Sequence, residues 1–195
     1  MIIGVIGGVG AGKSSVLDVL TQEYNFTAYR TDDIAKSFYV HGHPVFEALK
    51  SLLGADIEKP DRSVDLPVFA SRIYGAGKQK LRAQVDSIVH PAVWRYVDER
   101  VREARKSGTD IVVETALPTM HFVEICDEVW FVYTEGSVRV QRLMETRGYT
   151  EEKARAMIHA QIADDEYASM ADFVLDNSGS REETEAAIRG HFHKG

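Results

Sequence analysis

Short runs of consecutive apolar residues alternate along the chain with segments in which apolar residues recur every three or four positions. The apolar runs cover residues 2–6, 111–113, 129–133 and 173–175, and a weaker one covers 27–29. Uninterrupted apolar strands separated by helical segments are typical of a parallel sheet that is covered on both faces. The pattern therefore predicts an α/β fold built on a parallel sheet.

Helical spacing is clearest after Lys13 and after Pro91. After Pro91, valine recurs at every fourth position until the pattern stops near Gly108. Proline is favoured at the first position of a helix, so we expect a helix to begin at Pro91. Two more helix starts carry capping signals. Thr150 precedes two glutamates, and Ser180 begins a sequence typical of a capping box.

Two longer stretches break the alternation of strands and helices. Residues from about 34 to 90 hold several glycines and prolines among short helical patterns, and we interpret them as an inserted, helical substrate segment. Residues from about 136 to 165 are rich in arginine, glutamate and glutamine, which favours an exposed, mobile helical lid. A solvated pair of amphipathic helices is the alternative for this second stretch. The whole chain, residues 1–195, is predicted to form one domain that includes both stretches.

The most specific signal is the sequence GGVGAGKS at residues 7–14, which fits G-x-x-x-x-G-K-[ST] between a strand and a helix. Glycines let successive backbone N–H groups point into one concavity, and the following helix adds a partial positive charge at its N-terminus. Lys13 would reach the β- and γ-phosphates, Ser14 would bind Mg²⁺, and Ser15 would bond the α-phosphate. The motif predicts a nucleoside triphosphate site. Its expected ligands are Gly8, Val9, Gly10, Ala11, Gly12, Lys13, Ser14 and Ser15.

Carboxylates follow two of the predicted strands. Asp32 and Asp33 come after the weak second strand, at the end where an α/β sheet places its ligand crevice. A carboxylate there could accept the proton of an attacking hydroxyl, or either aspartate could cap a helix beginning at Ile34. Glu114 ends the strand at 111–113 and could hold a water on Mg²⁺, with a solvent-facing charge as the alternative.

Arg139, Arg142 and Arg147 fall within the predicted lid. The planar guanidinium donates hydrogen bonds in pairs and keeps its charge, so arginine is well suited to binding phosphate. Closure of these side chains over ATP would neutralise developing charge and exclude water. Surface ion pairs with nearby glutamates are the alternative.

Composition narrows the class of protein. The 195 residues are 44% hydrophobic and 27% charged, values typical of a folded globular enzyme. The net charge of −7 disfavours nucleic acid and anionic membranes as partners, so a polyanionic ligand needs a local positive site. The single cysteine, Cys126, excludes an intrachain disulfide and suits the reducing cytoplasm. No apolar run approaches the roughly 20 residues of a membrane-spanning helix.

Histidines do not point to a metal centre. Two pairs, at 41 and 43 and at 191 and 193, lack the spacing and the neighbouring cysteines of known zinc sites. His90 precedes Pro91 at the predicted helix start, where a capping or packing role is expected.

Together these segments resemble the dephospho-CoA kinase family over nearly the whole chain. The matching segments are 7–14 (GGVGAGKS), 32–36 (DDIAK), 90–91 (HP), 142–144 (RLM), 148–152 (GYTEE), Gln161 and 171–179 (ADFVLDNSG). The phosphate loop is shared with many kinases, whereas the ordered set is much more specific.

The resemblance implies a P-loop fold like that of nucleoside monophosphate kinases, with a five-stranded parallel sheet, a helical segment that binds coenzyme A, and a lid. It implies transfer of the γ-phosphoryl group of ATP to the ribose 3′-hydroxyl of dephospho-CoA, with Mg²⁺. The residues it implies are Lys13, Asp32 and Arg142 for catalysis, Arg147 and Asn177 for ATP, and Asp32 and His90 for the acceptor. We expect a cytoplasmic monomer, with an oligomer as the alternative.

Several positions depart from the family pattern. Arg30 stands where the family usually has the first aspartate of Asp-x-Asp, and Thr146, Met157 and Tyr167 stand where basic residues are usual. These departures remove or shift positive charges that would face anionic ligands. They keep two other functions open: a related kinase with a different acceptor, and a nucleotide-binding protein without catalysis.

Overall fold

A parallel sheet organises the chain in the computed structural model, which describes residues 1–75 and 77–193. Its strands are β1 (Ile2–Ile6), β2 (Thr27–Arg30), β3 (Ile111–Thr115), β4 (Glu128–Tyr133) and β5 (Phe173–Asp176). They lie in the order β2-β3-β1-β4-β5, so β1 is central and is flanked in parallel register by β3 and β4. The predicted five-stranded α/β fold is confirmed.

Helices connect the strands throughout the described part of the chain. Their bounds are α1 (Lys13–Glu23), α2 (Thr31–Ser37), α3 (Pro44–Leu53), α4 (Leu66–Ile73), α5 (Gln79–Ser107), α6 (Met120–Ile125), α7 (Gly136–Arg147), α8 (Glu151–His159), α9 (Asp164–Ser169) and α10 (Arg181–Phe192), with a 3₁₀ turn at Ala55–Ile57. Ser180 and Glu183 form the predicted capping box at the start of α10, and Thr150 caps α8.

The chain divides into two compact units. The first consists of Met1–Tyr29 and Val101–Gly195, and the second of Arg30–Arg100. In the second unit, apolar side chains of α3 and α4 and of the 3₁₀ turn are buried; they are Val45, Phe46, Leu49, Leu53, Ile57, Phe69 and Ile73. No helix among the described residues is both long enough and apolar enough to cross a bilayer.

The core of the first unit lies between one face of the sheet and the helices α1 and α10. Strand residues two positions apart share that face, because side chains alternate along a strand. The buried members include Ile3, Val5, Val112, Trp130, Val132 and Leu175 from the sheet, with Val16, Leu17, Leu20 and Ile188 from the helices. This packing holds the end of β1 and the start of α1, and therefore the loop between them.

Pro91 does not begin a helix, contrary to the prediction. It lies inside α5, and its side chain is exposed. Val85, Val89, Val93 and Val97 are buried at four-residue intervals on both sides of it. Burial of this continuous apolar stripe offsets the backbone hydrogen bond that proline cannot donate.

The lid interpretation expected the stretch from 136 to 165 to be exposed, but part of it is buried. Val140, Leu143 and Ala154 are buried where α7 packs against α8, and Val9 of the phosphate loop packs against the same cluster. Amphipathic packing of this kind anchors one face of each helix while the other remains in solvent.

Gly4 of β1 provides a test of this packing. A methyl group at Gly4 would lie 2.7 Å from both Cys126 Sγ and Phe122 Cζ, on the face of the sheet that α6 covers. We expect Gly4→Ala to destabilise the fold by about 1–3 kcal/mol through overpacking. Urea denaturation measures the change. Gly190→Ala is the control, because a methyl group there meets nothing within 4 Å and alanine favours the helix; equal stability of the two variants would contradict this account of β1.

Candidate functional site

The loop between β1 and α1 adopts the backbone conformation that its glycines permit. Gly10 and Gly12 have φ angles of +76° and +84°, which residues with a Cβ rarely adopt. Gly12 is also the N-cap of α1, so the positive end of the helix begins at Lys13. A methyl group at Gly12 would collide with the amide nitrogen of Asn177. The loop thus needs glycine here for both its torsion angles and its close packing.

Lys13 is held beside the loop by two carbonyls and a carboxylate. Its Nζ donates to Gly7 O at 2.8 Å and to Gly8 O at 3.3 Å, and it lies 3.2 Å from Glu114 Oε1. The side chains of Lys13 and Glu114 are only 11% and 17% exposed. The ammonium group is therefore fixed beside the loop, which is the place a phosphate-binding lysine occupies.

The carbonyl of Ala11 is anchored by two buried side chains. Asn177 Nδ2 donates to it at 2.7 Å and Thr134 Oγ1 at 2.9 Å. The oxygen of the Asn177 amide in turn accepts from Thr184 Oγ1 at 2.7 Å. Sequence reasoning missed both threonines, although Thr134 directly follows the apolar run of β4 at the ligand edge of the sheet. Asn177 therefore supports the phosphate loop through the carbonyl of Ala11.

The three arginines predicted for the lid have different surroundings. Arg139 is buried and donates to Val9 O at 3.0 Å, while Arg147 is exposed in the last turn of α7. Arg142 donates from Nη2 to Asn177 O at 2.9 Å. Its Nη1 is buried without a partner among the described residues and lies 3.2 Å from the position of a Cβ on Gly12. A buried, unpaired N–H next to the phosphate loop is suited to an anionic ligand.

Asp32 and Asp33 do not cap a helix beginning at Ile34, contrary to one alternative from the sequence. Helix α2 begins earlier, at Thr31, and its N-cap is Arg30 without a side-chain cap bond. Both aspartates lie in the first turn, where the helix dipole favours negative charge. Asp33 lies 3.3 Å from Lys36 Nζ, and Asp32 is exposed.

His90 lies inside α5 instead of at a helix start. It is exposed and lies 3.7 Å from Asp86, one turn earlier on the helix. In the same unit, burial, together with the nearby Tyr74, Asp86 and Asp32, raises the pKa of Tyr39 to about 12. The Tyr39 hydroxyl therefore stays protonated at neutral pH and can donate a hydrogen bond. No feature of the sequence pointed to this residue.

The oxygen atoms near the loop are suitable ligands for one hard cation that binds together with phosphates. No group of three or more histidine, cysteine or acidic side chains within the described ranges could hold a metal ion. Magnesium bound with a nucleotide needs only one or two protein ligands, because phosphate oxygens and waters supply the rest. The exposed hydroxyl of Ser14 and the Glu114 carboxylate match that requirement.

The family model for dephospho-CoA kinase matches residues 1–183. The chain belongs to the dephospho-CoA kinase family. A dephospho-CoA kinase of Carboxydothermus hydrogenoformans is 33% identical over 190 residues, which cover 96% of this chain and 90% of the relative. Another, from a Nostoc species, is 33% identical over 182 residues, covering 92% of this chain and 90% of the relative. The resemblance inferred from the ordered motifs is confirmed.

Solved structures agree with this family assignment at the level of the fold. A dephospho-CoA kinase from Campylobacter jejuni matches 97% of this chain and 96% of its own length, with a TM-score of 0.70 and 20% identity. A shikimate kinase from Acinetobacter baumannii, seen with shikimate, matches 99% of this chain and 93% of its own length, with a TM-score of 0.55 and 14% identity. Both likenesses concern the P-loop kinase fold.

Two of the departures from the family pattern, Tyr167 and Thr146, have structural explanations in this kinase. Tyr167 is fully buried, stacks on Phe131 at 5.3 Å between ring centroids, and donates to Ala116 O at 2.8 Å. A basic side chain could not make this apolar contact without losing its hydration. Thr146 donates to Arg142 O at 2.6 Å within α7. Tyr167 therefore has a packing role, and Thr146 lies on the surface of α7.

Replacement of Asn177 tests its role as an anchor of the loop. In Asn177→Asp, a carboxylate oxygen faces the Ala11 carbonyl in place of the N–H donor, and two buried acceptors then repel each other. We expect a loss of about 1–3 kcal/mol in unfolding free energy and weaker nucleotide binding at pH 8. The loss should shrink at pH 5, because a protonated carboxyl group can donate to Ala11 O.

The matched control for this experiment is Asn25→Asp, since Asn25 is exposed. Thermal melts at both pH values and titration with a fluorescent ATP analogue measure the effects. A defect in Asn177→Asp that does not depend on pH would argue against the carbonyl anchor.

Proposed function

We propose that this chain transfers the γ-phosphoryl group of ATP to the ribose 3′-hydroxyl of dephospho-CoA, giving CoA and ADP. The observation that carries the proposal is the glycine loop with Lys13 fixed beside it, in a member of the dephospho-CoA kinase family. In phosphoryl transfer the protein acts mainly by positioning the groups and by stabilising negative charge, and the loop and lysine are suited to both tasks.

On the ATP side, the phosphate oxygens are bound by the start of α1 and by the N–H groups of the loop other than that of Val9, which Gln161 holds. Lys13 exchanges its contacts with Gly7 O and Gly8 O for the β- and γ-phosphates, and Arg142 directs its unpaired Nη1 to the same ligand. Arg147, exposed on α7, is a further ATP contact in this proposal. These cations offset the negative charge that spreads over the transferred group.

Ser14 and, through a water, Glu114 would hold Mg²⁺. When bound, the ion would supply positive charge that neutralises part of the charge on the phosphates. Glu114 lies against Lys13, so it orients the lysine as well.

On the acceptor side, Asp32 is the proposed base. The 3′-oxygen forms a bond to the γ-phosphorus, the bond from that phosphorus to the bridging oxygen breaks, and the hydroxyl proton passes to the Asp32 carboxylate. Both aspartates are exposed, and Asp32 is chosen over Asp33 because Asp33 pairs with Lys36. His90 is proposed as a contact to the acceptor.

We also propose a cytoplasmic monomer. The single thiol suits a reducing compartment, and burial raises the pKa of Cys126 to about 12, which disfavours the reactive thiolate.

The reaction is tested by coupled detection of ADP with and without dephospho-CoA. We expect turnover only with the acceptor, and a product that carries a 3′-phosphate. In Lys13→Ala, kcat/KM should fall by roughly 10²–10³ or more, as for the loss of a transition-state donor. Lys106→Ala, at an exposed position on α5, is the control. Turnover that is independent of dephospho-CoA, or equal activity of the two variants, would refute the assignment.

Asp32→Asn tests the proposed base. The amide keeps the shape of the side chain but cannot accept the proton, so kcat should fall by about 10²–10⁴ while KM for dephospho-CoA changes much less. Asp33→Asn removes a neighbouring carboxylate that pairs with Lys36, and it should retain activity. If steady-state kinetics give the reverse ranking of the two variants, Asp33 and not Asp32 is the base.

A further inference from the structure

The peptide groups on both sides of Val9, in the phosphate loop, are held by side chains from distant parts of the chain. Gln161 Oε1 accepts a hydrogen bond from Val9 N at 2.7 Å. Arg139 Nε donates to Val9 O at 3.0 Å. The N–H and the C=O of Val9 belong to consecutive peptide planes, so these two contacts fix both planes.

The two side chains are also bound to each other. Arg139 Nη2 donates to Gln161 Oε1 at 3.2 Å, and Arg139 Nη1 lies 3.2 Å from Asp164 Oδ1. The Arg139 side chain is only 5% exposed, whereas its partner Asp164 is 42% exposed. We call Arg139 and Gln161 the Val9 clamp. It connects the start of α7 and the segment between α8 and α9 to the phosphate loop.

The clamp determines where neighbouring loop groups point, because the C=O and N–H of a trans peptide point in opposite directions. When Gln161 holds the N–H of Val9, the carbonyl of Gly8 faces the other way, and there it accepts from Lys13 Nζ at 3.3 Å. When Arg139 holds the carbonyl of Val9, the N–H of Gly10 faces away from Arg139. The clamp therefore orients one contact of the catalytic lysine and one amide of the loop.

The clamp packs closely against the backbone at Gly8. A methyl group there would lie 2.8 Å from Gln161 Oε1 and would collide with the Arg139 guanidinium. Gly8 is the second residue of the motif, where the general P-loop pattern accepts any residue. Its lack of a side chain is what lets Arg139 and Gln161 reach Val9.

We propose that Gln161 and Arg139 are positioning residues for phosphoryl transfer, which act through the Val9 peptide groups on the Gly10 amide and, before the nucleotide binds, on Lys13. The effect on turnover rests on the proposed function, whereas the effect on nucleotide binding does not. The clamp is distinct from the anchor on Ala11, because Thr134 and Asn177 hold a different carbonyl and share no atom with it.

Gln161→Leu tests the clamp, because leucine keeps the approximate volume of the side chain but cannot accept from Val9 N. We expect the Kd for a fluorescent ATP analogue, measured without acceptor, to rise about tenfold or more, and kcat to fall roughly 10- to 100-fold through misplacement of the phosphates. KM for dephospho-CoA should stay near its original value. Gln161→Glu keeps an acceptor for both Val9 and Arg139 and should rescue most of the loss.

The control variant is Gln141→Leu, since Gln141 is exposed on α7 and bonds Glu145 on the same helix. It should bind and turn over nucleotide as the original chain does. Thermal melts are recorded for every variant, because a purely structural role would lower Tm without changing the Kd of the folded fraction.

A Gln161→Leu variant that binds the analogue as tightly as the Gln141→Leu control overturns the proposal. If Gln161→Leu does not fold, Arg139→Lys is the second test, since lysine keeps the charge opposite Asp164 but lacks the planar fork that reaches Val9 and Gln161 together. Unchanged binding in folded Arg139→Lys also overturns it. Tight nucleotide binding without phosphorylation of dephospho-CoA would refute the proposed function alone, since the clamp is judged on the Kd.

Discussion

Phosphate binding at this site depends on the direction of a few peptide planes between β1 and α1. A backbone N–H attracts an anion only if it points at it, and a glycine loop by itself has the freedom to point its amides elsewhere. In this chain the freedom is removed from outside the loop: buried side chains hold the carbonyls of Val9 and Ala11, so the amides that follow them face the opposite side. The loop is organised by groups that need not touch the nucleotide.

The same arrangement explains how a chain with a net charge of −7 can bind a polyanion. The positive groups are concentrated and partly buried at one end of the central strand, where Lys13 is paired with Glu114 and Arg142 keeps an unpaired N–H. Attraction between charges is stronger in such a desolvated place than on the surface. Arg139, in contrast, has its charge balanced by Asp164 and acts on the backbone of the loop. Similar residues in one segment thus have separate tasks.

Much of the fold followed from local patterns in the sequence, and the errors arose where two local signals competed. The apolar runs located the strands, and the capping box at Ser180 located the start of α10, because both depend on neighbouring residues alone. Pro91 was wrongly predicted to begin a helix. Proline favours a helix start there, whereas a stripe of valines continues on both sides of it, and burial of that stripe keeps the helix continuous. The helix after β2 begins at Thr31, so the aspartates that resembled caps lie in its first turn.

By itself, the sequence determined the phosphate loop, the family and the order of the elements, because each rests on contiguous residues or on an ordered set of short motifs. Only the tertiary structure decided which side chains hold that loop. Asn177 is 166 residues from Ala11 along the chain, and Gln161 is 152 residues from Val9. Contacts over such distances arise when parallel strands bring their carboxyl ends to one edge of a sheet, and no spacing in the sequence records which of the residues gathered there will meet.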